Sequence, residues 1–406
     1  MNYDEATACL AGLKQSHLLD YYSRLDESER KALLSDIKNA DFGVLKYIQT
    51  GEKRERGKLT PVSAVTVEEI NKNRQTYLKA GLKLLKDNKA AAVLLAGGMG
   101  SRLGFDKPKG MFDIGESKVL SIFEQQMNNI KEVTSLTGKY FPLLIMTSEQ
   151  NNLDTVNFFK ENNFFGYPEE KIKFFVQETA VTCDFNGKVF LDEKHKISRA
   201  PNGNGGWYSS LKKSGLDKYL KKEGVEWLNV YSVDNVLQRI CDPVFIGATY
   251  LSGVPCSSKV VKKISAEERV GLLCKEDGVP TVVEYYEVPE KYAAARDESG
   301  EFLLKYGVIL NYLFKVEVLE DISDKKLPFH LATKKIPHIE GGEKVVPEQP
   351  NGYKFETLVV DMIKYAGDCL AYEVEREKEF APIKNRIGAD SVESARALLK
   401  LNGVEL

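Results

Sequence analysis

The segment after residue 90 constrains the fold of this chain most. Residues 90–96 form a short apolar run, which is typical of a buried parallel strand. Glycines at 97, 98, 100 and 104 follow at once, with Arg102 and Lys109 close by. Glycine lets backbone N–H groups approach phosphate oxygens, and the two cations neutralise phosphate charge. The pattern predicts a nucleotide site at the end of a strand; the alternative is a plain glycine-rich turn.

Two common phosphate-binding motifs do not match this loop. A dinucleotide fingerprint that starts at Gly98 would need a third glycine where Leu103 stands. A P-loop needs a lysine followed by serine or threonine at a fixed spacing, and none is present here. The loop instead reads GGMGSRLG, with Pro108 and Lys109 a few residues later.

Length and composition exclude several classes of protein. A chain of 406 residues predicts two or three domains. The net charge of −2 gives no electrostatic footprint for nucleic acid, and no apolar run approaches the length of a membrane span. The six cysteines form no C-x-x-C pair and the four histidines lack zinc-ligand spacing. We therefore expect a cytoplasmic protein with reduced thiols and no nucleic-acid or membrane partner.

The first part of the chain, residues 1–88, is predicted to be a helical N-terminal region. Asp26 with Glu29, and Thr66 with Glu69, have the spacing of capping pairs that open helices. Residues 51–61 are charged and rich in glycine, which predicts an exposed loop.

From residue 89 to 375 short apolar runs alternate with amphipathic stretches. This alternation predicts an α/β domain with a doubly wound, mainly parallel, Rossmann-like sheet. The predicted strands are 142–148, 171–177, 227–233 and 369–374, and the predicted helices are 118–130, 151–160 and 355–366. Asp277-Gly278 lies between two β-rich runs and predicts a hairpin, so the sheet is expected to be mixed. Residues 376–406 are predicted to be a short C-terminal extension, with a helix from 392 capped by Asp390 and Glu393.

Polar residues follow several of the predicted strands. Gln177 offers an amide that suits the edge of a uracil ring, or is an ordinary exposed strand end. Residues 201–206 contain three glycines, which indicates either a close approach to a ligand or a simple connection. Asp234 follows a strand, where a carboxylate can hold Mg²⁺ or cap a helix.

Three further positions extend the candidate site. Glu284 and Tyr285 lie on the second hairpin strand, where a glutamate is either solvated or bonded to sugar hydroxyls. Lys354 opens a predicted helix, where its charge opposes the dipole unless an anion is bound. Lys384 lies in a loop after a strand.

Taken together, these segments resemble the nucleotide-sugar pyrophosphorylases, and most closely the UDP-N-acetylglucosamine pyrophosphorylases. All of them occur in the same chain order, from about residue 90 to 400. The resemblance implies a uridylyltransferase that joins UTP to N-acetylglucosamine 1-phosphate with Mg²⁺ as cofactor. In-line attack on the α-phosphorus needs no general base, because the sugar phosphate is already an anion.

The resemblance also implies a role for each candidate residue. Leu95, Ala96, Gly97 and Gly98 would hold the nucleotide through backbone groups, and Gln177 and Gly203 would recognise uracil. Arg102, Lys109 and Lys354 would be catalytic, with Lys109 the main charge-stabilising group. Asn204, Glu284, Tyr285 and Lys384 would bind the sugar phosphate, and Asp234 would bind Mg²⁺.

The chain departs from the family pattern at three positions. Val308 follows Gly307 where an asparagine is expected, and Leu358 and Val360 stand at two aromatic positions. The family's C-terminal domain is expected to be largely absent. A UDP-glucose or broad-specificity pyrophosphorylase therefore stays open, as does a non-catalytic nucleotide-sugar sensor. A glycosyltransferase is disfavoured because Asp234-Asn235-Val236 is not an Asp-x-Asp motif. We expect a monomer or a weak homodimer.

Overall fold

The structure, a computed structural model, describes residues 1–49 and 56–406 and divides into two compact units. Within the described residues, the small unit comprises 1–49, 178–206 and 327–359, and the large unit comprises 56–177, 207–326 and 360–406. This division differs from the predicted borders after residues 88 and 375, because segments far apart in the sequence pack together in each unit.

The helices of the chain are numbered in chain order. They are α1 Tyr3–Gly12, α2 Glu27–Asn39, α3 Lys46–Gln49, α4 Val67–Lys86, α5 Ile122–Thr137, α6 Asn152–Glu161, α7 Trp207–Lys213, α8 Leu216–Glu223, α9 Pro243–Ser252, α10 Glu290–Ala293, α11 Val316–Ser323, α12 Asp361–Ala366, α13 Arg376–Glu379 and α14 Val392–Leu401.

The strands are numbered in the same way. They are β1 Leu59–Pro61, β2 Ala64–Val65, β3 Ala90–Leu95, β4 Leu143–Thr147, β5 Ile172–Val176, β6 Thr179–Val181, β7 Cys183–Asp184, β8 Leu191–Glu193, β9 Lys196–Ile197, β10 Arg199–Pro201, β11 Trp227–Ser232, β12 Cys256–Lys262, β13 Leu272–Glu276, β14 Val279–Val283, β15 Tyr306–Lys315, β16 His330–Lys334, β17 His338–Glu340, β18 Glu343–Val345, β19 Gly352–Glu356 and β20 Leu370–Glu373.

The large unit is built on one mixed sheet, as the sequence predicts. Its strand order is β2-β20-β12-β15-β11-β3-β4-β5, with β1, β13 and β14 joined to β15. The strands β11, β3, β4 and β5 are parallel, whereas β15 is antiparallel to β11, β12 and β13. The carboxyl ends of the four parallel strands therefore meet at one edge of the sheet.

Strand β3 lies between two parallel neighbours, and all six of its residues are buried. The sequence of Ala90–Leu95 is AAAVLL, an apolar run without alternation, as expected of a strand covered on both faces. The core around it extends through the whole large unit, from Leu59 to Leu406.

Helix α4 packs closely against α9 through two glycines. A Cβ placed on Gly81 would lie 1.8 Å from the Pro243 carbonyl oxygen, and one on Gly247 would lie 1.9 Å from the Tyr77 carbonyl oxygen. Both positions therefore need glycine, because any side chain would push the two backbones apart.

The small unit has its own core and its own sheets. Strands β16, β19 and β7 form one antiparallel sheet, and β6 pairs with β10. The N-terminal helices contribute Leu10, Leu33 and Ile37 to a buried cluster that also contains Val181 and Phe355. The unit is thus a helical layer packed on short strands.

Local predictions are confirmed at some positions and wrong at others. The capping boxes of α2 and α4 form as predicted, and Asp277-Gly278 turns the hairpin with φ of 51° and 86°. The helix predicted at 355–366 is wrong: 352–356 is strand β19 and only Asp361–Ala366 is helical. Tertiary pairing with β16 decides the conformation there.

Three boundaries also need correction. Helix α5 begins after Ser121, whose side chain caps it, rather than at 118. Helix α14 is capped by Ser391, not by Asp390. Within the predicted loop 51–61, Leu59–Pro61 is a strand paired with β13, while residues 51–55 lie outside the described residues.

Within the described residues, no helix has both the length and the apolarity that crossing a bilayer requires.

Candidate active site

The glycine-rich loop leaves β3 and closes on itself. Met99 and Pro108 form an antiparallel bridge, in which the Gly100 N–H donates to Lys107 O at 2.9 Å and the Lys109 N–H donates to Gly98 O at 3.2 Å. Pro108 has no N–H, and it occupies a position of the bridge where none is needed. Gly104 takes the left-handed conformation, with φ of 68°.

The start of this loop presents backbone donors. Within the part of the chain that the structure describes, the N–H groups of Gly97 and Gly98 donate to no protein acceptor. Unpaired N–H groups at the end of a parallel strand are suited to bind an anion. The structure thus supports the phosphate-loop interpretation over that of a plain turn.

Asn151 holds the loop in place, and sequence reasoning did not identify it. Its Nδ2 donates to Ala96 O at 2.9 Å and to Gly98 O at 3.3 Å, while its Oδ1 accepts the Ser148 N–H at 2.7 Å. The residue is fully buried. Its only signal in the sequence was its place at the start of a helix, which gives no hint of a contact with residues some 50 positions away.

Gln177 lies against the first glycine of the loop. A Cβ placed on Gly97 would be 2.9 Å from Gln177 Oε1, so a side chain at this position would displace the amide from where it lies. The residue follows β5, and its backbone N–H donates to Thr147 O at 2.8 Å. It is 6 % exposed, which excludes the alternative of a solvent-exposed strand end.

Lys109 and Asp234 form an ion pair. Lys109 Nζ donates to Asp234 Oδ1 at 2.5 Å, and the two side chains are 12 % and 33 % exposed. No helix begins at Asp234, and Asp242 is the residue that caps α9. The alternative role of Asp234 as a helix cap is therefore wrong.

The turn that carries Asp234 is fixed by two buried amides. Gln126 Nε2 donates to Val233 O at 2.9 Å and Asn235 O at 3.1 Å, and Gln238 Nε2 donates to Ser232 O at 2.7 Å. Both glutamines are almost fully buried. They position the metal-binding candidate from α5 and from the turn itself, and neither was identified from the sequence.

The residue before Lys384 makes a backbone hydrogen bond with the turn that carries Asp234. The Ile383 N–H donates to Asp234 O at 2.9 Å, and Lys384 Nζ donates to Asp390 at 3.0 Å. Lys384 is thus anchored in a loop that packs beside Asp234.

Glu284 lies one residue past the end of β14, not on the strand itself. A Cβ built on Gly271 would lie 3.5 Å from Glu284 Oε1 and 3.4 Å from Val308 Cγ2. The carboxylate and the valine therefore flank the same glycine. Tyr285 is 44 % exposed and packs edge-on against Tyr286.

The small unit carries the remaining candidates. Gly203 has φ of 86°, and a Cβ there would lie 2.2 Å from Thr357 O. The Asn204 Oδ1 accepts the Val359 N–H at 2.9 Å. Gly203 and Gly205 are therefore explained by close approach to the chain's own backbone at Thr357 and Leu358, an explanation beside the ligand and the simple connection that the sequence left open.

Lys354 is on strand β19 and not at a helix start, so the argument from the helix dipole was wrong. Burial lowers the pKa of the Lys354 ammonium, with nearby Glu356 opposing and Lys334 adding to the shift. A partly desolvated ammonium gains more from an anionic partner than an exposed one does.

A magnesium ion would have Asp234 as its protein ligand. Among residues 1–49 and 56–406 no group of three or more histidine, cysteine, aspartate or glutamate side chains is arranged to hold a metal. Mg²⁺ commonly uses one or two carboxylates and completes its shell with water and substrate phosphate oxygens. The donor set fits that pattern.

Comparison with known proteins gives the family. The model of the UTP–glucose-1-phosphate uridylyltransferase family matches residues 44–402, and this chain belongs to that family. It is 36 % identical to the human UDP-N-acetylhexosamine pyrophosphorylase-like protein 1 over 93 % of this chain and 79 % of that protein. It is 34 % identical to the UDP-N-acetylglucosamine pyrophosphorylase of Saccharomyces cerevisiae over 95 % and 84 %.

A solved structure agrees with this placement. The uridine diphosphate N-acetylglucosamine pyrophosphorylase of Trypanosoma brucei, solved with an inhibitor, superposes with a TM-score of 0.82 at 28 % identity, over 98 % of this chain and 85 % of that one. The mixed, mainly parallel sheet predicted from the sequence is thus confirmed as the fold of nucleotide-sugar pyrophosphorylases.

Proposed function

We propose that this protein is a UTP:N-acetylglucosamine-1-phosphate uridylyltransferase that uses Mg²⁺. One observation supports this most. The glycine-rich loop after β3, Gln177 after β5 and Asp234 after β11 all follow parallel strands of one sheet, so a base-edge amide, backbone donors and a metal-binding carboxylate converge at one edge. Relatives that are named UDP-N-acetylglucosamine pyrophosphorylases support the choice of substrates.

In the proposed reaction an oxygen of the sugar phosphate attacks the α-phosphorus of UTP. A new bond forms between these atoms, and the bond from the α-phosphorus to the bridging oxygen breaks, releasing pyrophosphate. Lys109 and Arg102 neutralise charge on the phosphates, and Gln177 selects uracil. The bound Mg²⁺ would neutralise phosphate charge and orient the leaving group. Catalysis is then positioning and electrostatics, without a general base.

Release of pyrophosphate from UTP and N-acetylglucosamine 1-phosphate tests the proposal. We expect turnover with UTP to exceed that with ATP or GTP on the order of 10³-fold. A site whose polar groups bond the edge of uracil leaves those groups without partners when a different base binds. Equal turnover with ATP would contradict the uridylyl assignment. Binding of UDP-sugar without any turnover would favour the sensor.

Asp234→Asn tests the metal ligand. The variant should need more Mg²⁺ for half-maximal activity or lose activity, because an amide binds Mg²⁺ less strongly than a carboxylate. Asp87→Asn is the control and should leave the Mg²⁺ requirement unchanged, since Asp87 is an exposed carboxylate that pairs with Lys83 at the end of α4 and lies outside the proposed site. An unchanged Mg²⁺ requirement in the Asp234 variant would place the metal elsewhere.

Glucose 1-phosphate is the second candidate substrate. The family model is named for this substrate, and Val308 stands beside Glu284 where the resemblance expects an asparagine. Loss of one sugar hydrogen bond would cost about 0.5–1.5 kcal/mol, which relaxes selection without abolishing it. We therefore propose N-acetylglucosamine 1-phosphate as the preferred substrate with a raised KM, and Val308→Asn should lower that KM. A clear preference for glucose 1-phosphate would overturn the choice of sugar alone.

We also propose that the protein acts in the cytoplasm as a monomer or a weak homodimer. Sedimentation of the purified protein over a range of concentrations tests the second point, and a stable higher oligomer would contradict it.

A further inference from the structure

A cation from a distant segment lies against the glycine-rich loop. A Cβ built on Gly104 would be 3.8 Å from Arg386 Nη1, and no other described atom outside the chain neighbours comes within 4 Å of that point. The Arg386 side chain is exposed. Among residues 1–49 and 56–406 it makes no hydrogen bond or ion pair. The guanidinium therefore stands beside the loop without a protein partner.

Other arginines of the C-terminal segment are engaged with protein acceptors. Arg376 donates to Glu268 at 2.7 Å, and Arg396 donates to the carbonyl oxygens of Ile114 and Gly115 at 3.0 and 2.7 Å. These two arginines have evident structural roles. Arg386 has none of these contacts, although its fork of donors is well suited to a planar or tetrahedral anion.

The loop that carries Arg386 is itself well fixed. The Asp390 carbonyl oxygen accepts the N–H groups of Lys384 and Asn385 at 2.7 and 3.0 Å, and Asn385 Nδ2 donates to Ala389 O at 3.0 Å. One residue earlier, Ile383 is bonded to the backbone of Asp234. The same loop thus contacts the metal-binding turn and presents Arg386 at the glycine-rich loop.

We infer that Arg386 binds the two terminal phosphates of the nucleoside triphosphate, which leave as pyrophosphate. This inference rests on the proposed function. Gln177 contacts Gly97, at the start of the loop, so the base is expected at that end. The Arg386 guanidinium lies beside Gly104, in the middle of the loop, where the phosphates farthest from the base would lie. The ammonium of Lys109 is shared with Asp234 and that of Lys384 with Asp390, whereas the Arg386 charge is not shared.

The reverse reaction measures this role directly, with UDP-N-acetylglucosamine and inorganic pyrophosphate as substrates of the purified protein. Arg386→Gln should raise the KM for pyrophosphate about tenfold. This is the low end of the effect expected when hydrogen bonds to a charged group are lost, because the site is exposed. The KM for UDP-N-acetylglucosamine should stay unchanged. Arg386→Lys keeps the positive charge but loses the forked pair of N–H donors, so its KM for pyrophosphate should lie between those of the wild type and Arg386→Gln.

Arg296→Gln is the matched control. Arg296 is also exposed and donates to Gly300 O at 2.7 Å, but it lies outside the proposed site, so both KM values should stay at the wild-type level. Equal thermal midpoints would show that all variants fold. If the KM for pyrophosphate in Arg386→Gln equals that of an active wild type, the inference is wrong and the proposed function stands. An inactive wild type would contradict the proposed function itself.

Discussion

At the scale of single residues, the ion pair of Lys109 and Asp234 joins the residue proposed to neutralise phosphate charge to the residue proposed to bind the metal. The ammonium and the carboxylate are bonded to each other at 2.5 Å in the protein alone. In the proposed reaction Asp234 would hold the metal ion, and the Lys109 ammonium, no longer needed by that carboxylate, would then meet phosphate oxygens. Binding of the metal and positioning of the lysine are therefore expected to be coupled.

Lys109→Ala should lower kcat on the order of 10²- to 10³-fold, as expected for loss of one preorganised group that meets developing charge. The stability should change by no more than about 1 kcal/mol, since the pair is partly solvated. Lys118→Ala, which removes an exposed lysine 3.6 Å from Glu405, is the control and should keep full activity. Wild-type kcat in the Lys109 variant would remove this residue from the mechanism.

His17 should make the protein sensitive to mild acid. Burial lowers the pKa of His17 from its ordinary 6.5, and the ring Nε2 lies 2.7 Å from Val189 O. The unfolded chain therefore binds more protons than the folded one between the lowered pKa and about 6.5, so the free energy of unfolding falls as the pH drops through that window.

Chemical denaturation at several pH values checks this point. His17→Gln should lose less stability between neutral and mildly acidic pH than the wild type, because its amide stays uncharged and can still donate to Val189 O. Parallel pH profiles for the two proteins would show that His17 is not the responsible group.

At the scale of elements, close packing of backbones decides which residues are tolerated. Helices α4 and α9 meet at Gly81 and Gly247, and the glycine-rich loop depends on the buried Asn151. The two glycines let the helices approach more closely than any side chain would allow. The Asn151 amide holds the loop by hydrogen bonds to its backbone. The site is thus held by the packing of elements that carry no catalytic residue.

Gly81→Ala should destabilise the large unit by about 1–3 kcal/mol through overpacking against Pro243, even though alanine favours helix by about 1 kcal/mol. Gly12→Ala is the control. A Cβ at this position has open space, so the free energy of unfolding should be unchanged or slightly higher. Thermal or urea unfolding of both variants measures the difference. A Gly81 variant as stable as the wild type would mean that the two helices separate at no cost.

At the scale of the whole molecule, the cysteines report on folding of both units. Cys183, Cys241, Cys256, Cys274 and Cys369 are buried, and only Cys9 is exposed. Burial raises the pKa of the Cys183 and Cys274 thiols to about 12, so these groups are also poor nucleophiles while buried.

A thiol reagent should therefore label one cysteine quickly in the native protein and all six after unfolding in denaturant. Cys9→Ser should abolish the fast phase and leave the slow one, since the remaining thiols become accessible only when the core opens. Mass spectrometry of the labelled protein identifies the sites. Fast labelling of a buried cysteine would show that its unit opens readily.

The sequence alone determined the sheet class and the position of the glycine-rich loop. These features are local: an apolar run predicts a buried strand, and glycines with cations predict a phosphate loop. Tertiary structure decided what depends on contacts between distant segments. Lys354 is on a strand because 352–356 pairs with β16, and Gly203 and Gly205 fit against residues 357–358. Asn151, Gln126 and Arg386 approach the site from far away in the chain. No periodicity encodes such contacts, because their free energy exists only once both segments are in place.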